Sequence, residues 1–158
     1  MLTILNHDKK CYDNKVISLS CYSFYMLKII NKGAKSDLPF SPAIQVGDLV
    51  YISGQASVDP NTGKIISGTI EEQIDRSMNN VNNILNSINL SLDNVINVKV
   101  YLAYEEDIKI YNKIYKIFFF APYPSRTTIV NALPSFLKFE IDCIAYAIKT
   151  RKQAVIES

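Results

Sequence analysis

Residues 124–145 read PSRTTIVNALPSFLKFEIDCIA, two β-rich runs around Leu133-Pro134, and the fold follows from them. The second run, Leu137 to Ile148, alternates Phe139, Ile141, Cys143 and Ala145 with Lys138, Glu140 and Asp142. That is the period of a strand with one buried face. In the first run, Arg126 to Asn131, Arg126 and Thr128 share a face. If the two strands form a hairpin with Asn131 opposite Leu137, then Thr128 falls opposite Glu140 and Arg126 opposite Asp142. A slip of two residues changes partners but keeps all four groups on one face. A guanidinium in such a place grips a substrate carboxylate by a bidentate pair, and a nearby acid orients or deprotonates water. An exposed cross-strand ion pair with little energetic consequence is the alternative reading of the same residues.

Upstream, strand and helix signals alternate. Leu27, Ile29 and Ile30 suggest a short strand, and Ala43–Val46 and Leu49–Ser53 flank Gly47-Asp48 as a hairpin. Asp59-Pro60-Asn61-Thr62-Gly63 is a turn by composition. Thr69-Ile70-Glu71-Glu72 is a capping-box pattern, and Ile74, Met78, Val81, Leu85 and Ile88 then recur at helical spacing. Ser91 to Asn94 reads as a short turn, and Val98, Val100 and Leu102 mark a half-buried strand. Ile108, Tyr111, Ile114, Tyr115 and Phe118 give a second amphipathic helix, ended by Pro122 and Pro124. The order predicts an α+β domain: a mixed β-sheet with two helices packed on one face.

The chain has 158 residues, 48% hydrophobic and 20% charged, which suits a single globular domain. A net charge of +2 advertises neither a nucleic-acid nor a membrane surface, and no apolar run is long enough to span a bilayer. His7 is the only histidine, and Cys11, Cys21 and Cys143 are widely spaced. A metal site or a Ser-His-Asp triad has almost nothing to be built from, so catalysis must use carboxylates, hydroxyls, backbone groups or arginine. The cysteine pattern fits a reducing compartment. Arginines are scarce: Arg76, Arg126 and Arg151. Ser53-Gly54-Gln55, at the end of an apolar strand, is a second candidate, because a glycine admits a ligand close to the backbone and free N–H groups there bind anions. The tyrosines and Phe118-Phe119-Phe120 read as core, helix-end packing or a subunit contact.

Taken in order, these pieces resemble the reactive-intermediate deaminase family (RidA, also called the YjgF family) from about Met26 to Lys149. The resemblance lies in Leu38-Pro39-Phe40-Ser41-Pro42-Ala43, Tyr51-Ile52-Ser53-Gly54-Gln55, Asp59-Pro60-Asn61-Thr62-Gly63 and Tyr111-Asn112-Lys113-Ile114-Tyr115. It continues in Pro124-Ser125-Arg126-Thr127-Thr128 and in Phe139-Glu140-Ile141-Asp142-Cys143-Ile144-Ala145. It implies a chorismate-mutase-like (YjgF-like) fold, a homotrimer with clefts between subunits, and hydrolysis of 2-imino or enamine acids to 2-keto acids and ammonia. The implied activity is of the 2-iminobutanoate/2-iminopropanoate deaminase type, with no metal or other cofactor. Arg126 then matches the arginine that grips the carboxylate, and Glu140 the acid that positions water. Ser53 and Gly54 match the strand end lining the cleft, Asn112 a helix asparagine beside it, and Thr128 a position commonly cysteine. Phe40 stands where the family usually has tyrosine. One lost neutral hydrogen bond costs about 0.5–1.5 kcal/mol, which lowers activity or shifts it to another imine.

The resemblance also admits an endoribonuclease or translation inhibitor, although isolated arginines and slight net charge argue against RNA. Phe40 admits a trimer that binds carboxylates without turnover. Residues 1–24 are expected to be an extension, either a targeting segment or a poorly ordered or edge-strand addition, followed by the domain at 25–150 and a tail at 151–158. The location expected is the cytoplasm, or a mitochondrion or plastid if the extension is a targeting segment.

Overall fold

The computed structural model describes residues 27–148. The expectations for residues 1–24 and for the tail lie outside that range. Six strands form one sheet in the order β1-β2-β3-β6-β4-β5. They are β1 (Lys28–Ile30), β2 (Ala43–Val46), β3 (Leu49–Ala56), β4 (Val95–Leu102), β5 (Ser125–Val130) and β6 (Phe139–Tyr146). Helix α1 (Ile70–Asn86) links β3 to β4, and α2 (Ile108–Phe118) links β4 to β5. The β2–β3 hairpin turns at Gly47, whose φ of 59° is the left-handed value glycine adopts without strain.

Both helices lie on one face of the sheet. Ile74, Met78, Val81 and Leu85 of α1 join Tyr111 and Tyr115 of α2 over Val98, Val100, Leu102, Ile141 and Cys143. The helix spacing read from the sequence is therefore the spacing of the core. Thr69 caps α1 as the sequence predicts: its hydroxyl accepts from the Glu72 N–H at 3.3 Å, and the Glu72 carboxylate accepts from the Thr69 N–H at 2.9 Å. Leu92–Asn94, in the expected turn, is a single 3₁₀ turn.

One expectation fails. The strands β5 and β6 do not form a hairpin, because β4 lies between them, antiparallel to β6 and parallel to β5. A parallel β4-α2-β5 crossover is the ordinary result of a strand-helix-strand sequence. It carries β5 to the outer edge of β4 and leaves the inner edge to β6. The connection 131–138 then steps over one strand, about 10 Å at the usual inter-strand spacing, well within the reach of eight residues.

The far face of the sheet carries no described helix, and apolar side chains are exposed on it. Ile29, Val46, Tyr51, Ile129 and Tyr146 are exposed. Ile29, Ile44, Tyr51 and Ile144 form one cross-strand row over four strands.

Thr69→Ala removes the cap of α1 and should lower the unfolding free energy by about 1 kcal/mol. Urea denaturation measures it; an unchanged midpoint would mean that the cap does not contribute.

Candidate active site

The β3–β6 pairing slips at Ser53-Gly54: Ile52 faces Cys143, and the next pair is Gln55 with Ile141, leaving two residues of β3 against Asp142. This is a β-bulge, which re-aims the backbone. The buried Gln55 side chain ties it down, its amide donating to the carbonyls of Ser53 at 2.9 Å and Gly54 at 3.2 Å. The bulge brings Gly54 under the Glu140 carboxylate. A Cβ at position 54 would collide with Glu140 Oε1, so only glycine lets the acid rest there. Phe40, Leu38, Ile65 and Leu137 complete a cleft of about 290 Å³ around this pair. The cleft is mostly apolar, and burial, with Asp142 as a lesser cause, raises the pKa of Glu140. Asp142 is itself held by the Tyr101 hydroxyl, which donates to it at 2.9 Å.

Ser53 lies on the bulge, but its polar groups are engaged. Its N–H donates to the Pro42 carbonyl at 3.0 Å and its hydroxyl to the Ser41 carbonyl at 2.7 Å. The expectation that the Ser53 N–H helps to bind an anion is therefore corrected; the residue fastens the Phe40 segment to β3.

Arg126 lies elsewhere. In the parallel register Arg126 aligns with Val98 and Thr128 with Val100, so both project to the helix-covered face. Glu140 aligns with Tyr101 and Asp142 with Lys99, on the opposite face. The expectation that Arg126, Thr128, Glu140 and Asp142 share a face is wrong, and the interposed β4 is the reason. The Arg126 guanidinium carbon lies 5.1 Å from the Tyr111 ring centre and 4.8 Å from that of Tyr115. With Asn112, Tyr115, Lys116, Tyr123 and Pro124 it lines a second, more open cleft of about 440 Å³. Thr128 is half-buried two residues along β5 from Arg126.

The sequence candidates thus fall into two groups, Phe40, Gly54 and Glu140 in one cleft, Arg126 and Asn112 in the other. Tyr111 and Tyr115 were not singled out as site residues. Their i, i+4 spacing on α2 is a signal for a shared face, but one that a core explains equally well. The other two arginines have different fates. Arg76 braces the loop before α1, donating to the Ser57 hydroxyl at 2.8 Å and the Ser67 carbonyl at 3.0 Å, and Arg151 lies outside the described residues.

A mixed six-stranded sheet backed by two helices is the chorismate-mutase-like arrangement of the α+β class. The family model described as Endoribonuclease L-PSP matches residues 32–147, and the chain belongs to that family, also called YjgF, RutC or RidA. Relatives include a RutC family protein of Pyrococcus abyssi, 37% identical over 116 residues that cover 73% of this chain and 91% of the relative. The 2-iminobutanoate/2-iminopropanoate deaminase of Homo sapiens is 35% identical over 108 residues, covering 68% of this chain and 79% of that protein. Among solved structures, E. coli TdcF with bound serine is 32% identical with a TM-score of 0.68, covering 75% of this chain and 98% of that one. Yeast Mmf1 is 31% identical with a TM-score of 0.69, covering 77% and 98%.

Gly54→Ala should push the Glu140 carboxylate off the bulge into water and bring its pKa down toward the ordinary glutamate range. Carboxyl-selective NMR titration reads that fall; an unmoved titration would show that the bulge does not hold the acid.

Proposed function

We propose that the protein is a hydrolytic deaminase of 2-imino or enamine acids, working in a cleft that two copies of the chain complete. The observation that carries this reading is the division of the site. Glu140 on its glycine bulge and Arg126 beside Asn112 leave opposite faces of one sheet, on strands separated by β4. No rearrangement of side chains within one chain joins them, whereas a neighbouring copy can set its Arg126 against Glu140. The apolar side chains on the far face, Tyr51, Tyr146 and Ile29 among them, support association there, and a homotrimer gives three such clefts. The 2-iminobutanoate/2-iminopropanoate deaminases among the relatives support the chemistry.

A 2-imino acid is already electrophilic at C2, so no covalent nucleophile is required. Arg126 of one copy binds the carboxylate by its paired N–H groups, and Asn112 lies beside it. Glu140 of the other copy takes a proton from water as the oxygen bonds to C2. Glu140 returns that proton to the nitrogen, the new hydroxyl gives up its own proton to the amine as its oxygen forms the C=O bond, the C–N bond breaks, ammonia leaves, and the 2-keto acid remains. A base with a raised pKa is the stronger acceptor, and the apolar cleft that raises it excludes competing water. Phe40 closes that cleft with a ring but donates no hydrogen bond.

The test generates 2-imino acids with an amino-acid oxidase and lets semicarbazide compete for them. Wild type should suppress the semicarbazone signal, Arg126→Ala should abolish suppression with assembly intact, and Glu140→Gln should lower turnover while carboxylate still binds. Full activity in Arg126→Ala would overturn the reading. No suppression by wild type across several imino acids would leave a carboxylate-binding trimer without turnover. The Glu140 titration should also rise in Arg126→Ala, since a neighbouring cation no longer favours the carboxylate.

A further inference from the structure

We propose that Tyr111 and Tyr115 are positioning residues for Arg126, holding its guanidinium by the ring faces so that its hydrogen-bonding edges stay open to an incoming carboxylate. The inference rests on the reading of Arg126 as the carboxylate anchor. Arg126 sits on an edge strand and, among the described residues, has no carboxylate paired with it; the ion pair present there is Arg76 with Glu72. Its charge is met instead by two aromatic faces, 5.1 and 4.8 Å from the ring centres. A cation is attracted to the face of a tyrosine ring, and that attraction leaves the in-plane N–H groups unused. An acid in the same place would occupy the N–H pair that a substrate needs and neutralise the charge that recruits it.

The rings are fixed themselves. Tyr111 is 1% exposed and Tyr115 7% exposed. They meet edge to face at 5.6 Å, Tyr111 packs on Phe139 at 5.7 Å, and Tyr115 packs on Phe119 at 4.7 Å. Phe119, in the triple phenylalanine, thereby supports Tyr115. The core and the anchor are thus one aromatic stack running from β6 through α2 to β5.

The Tyr115 hydroxyl does not share in this. The Tyr115 hydroxyl is buried without a hydrogen-bond partner, whereas the Tyr111 hydroxyl lies close enough to Arg126 for the guanidinium, by its charge and by a weak hydrogen bond, to offset part of the rise that burial imposes on its pKa. Burial likewise pushes the Tyr115 phenol up to about 12, against the same cation. At Tyr115 the ring, and not the O–H group, is therefore what positions the guanidinium, and phenylalanine should serve there.

The experiment uses the assembled protein labelled at arginine. The chain has three arginines, so Arg126→Ala identifies the Arg126 Nε–Hε signal by its loss. In wild type that signal should lie upfield of the other two through the ring currents of two tyrosines. Tyr115→Phe should keep it there, bind 2-oxobutanoate as wild type does, and melt no lower. Tyr115→Leu should return it toward the ordinary position and weaken 2-oxobutanoate binding about tenfold, the scale of a partly desolvated cation–π contact. An unshifted Arg126 signal in wild type overturns the proposal without any variant having to fold. So does loss of binding in Tyr115→Phe equal to that in Tyr115→Leu, which would assign the work to the hydroxyl. If Arg126→Ala itself binds 2-oxobutanoate as wild type does, the anchor reading fails first. If only the tyrosine variants are neutral, the anchor stands and the positioning role falls.

Discussion

Strand β4 has a neighbour on each edge, and most of the site follows from that. Its antiparallel partner β6 presents Glu140 on the uncovered face, while its parallel partner β5 presents Arg126 under the helices. Arg126 pairs with Val98 and Glu140 with Tyr101, three residues apart on β4, and the alternation of side chains along that strand sets the two groups on opposite faces. Any chemistry that needs a carboxylate and a guanidinium together must take them from two copies. The exposed apolar row across β1, β2, β3 and β6 supplies a surface on which copies can meet, and the site and the assembly become one problem.

Much of this was legible in the residues. The spacing Ile74, Met78, Val81, Leu85 is the buried stripe of α1, and Thr69 with Glu72 is its cap, because local hydrogen bonds and periodicity depend on nothing distant. The alternation through Phe139–Ala145 likewise assigned Glu140 to the polar face. The pairing of β5 did not follow. Two adjacent strands with a short apolar-proline link suggest a hairpin, and nothing local to residues 124–145 reveals that the β4-α2-β5 crossover has already used the outer edge. Ser53 shows a similar limit: its motif is recognisable, but the bond of its N–H to Pro42 depends on a segment eleven residues away. Tyr111 and Tyr115 are harder still, since a residue that both fills the core and faces a cation has the sequence pattern of core alone.

The two half-sites differ in how they treat charge. Glu140 is tuned by burial against Gly54 and by the nearby Asp142, and its pKa rises. Arg126 lines an open cleft, with the faces of two tyrosine rings beside its guanidinium. Bringing the halves together places an acid made reluctant to ionise beside a cation that favours its ionised form. Phe40, in the lining of the acidic half, contributes shape without a donor.

The claim that the site is shared between copies is tested most directly by mixing. Arg126→Ala and Glu140→Gln chains are unfolded together, refolded as mixed trimers and assayed for imino-acid hydrolysis. If each cleft takes Arg126 from one copy and Glu140 from another, every mixed trimer holds one intact cleft. An equal mixture should then recover roughly a quarter of wild-type activity above the residual of either parent. A mixture no more active than its parents would contradict the shared site.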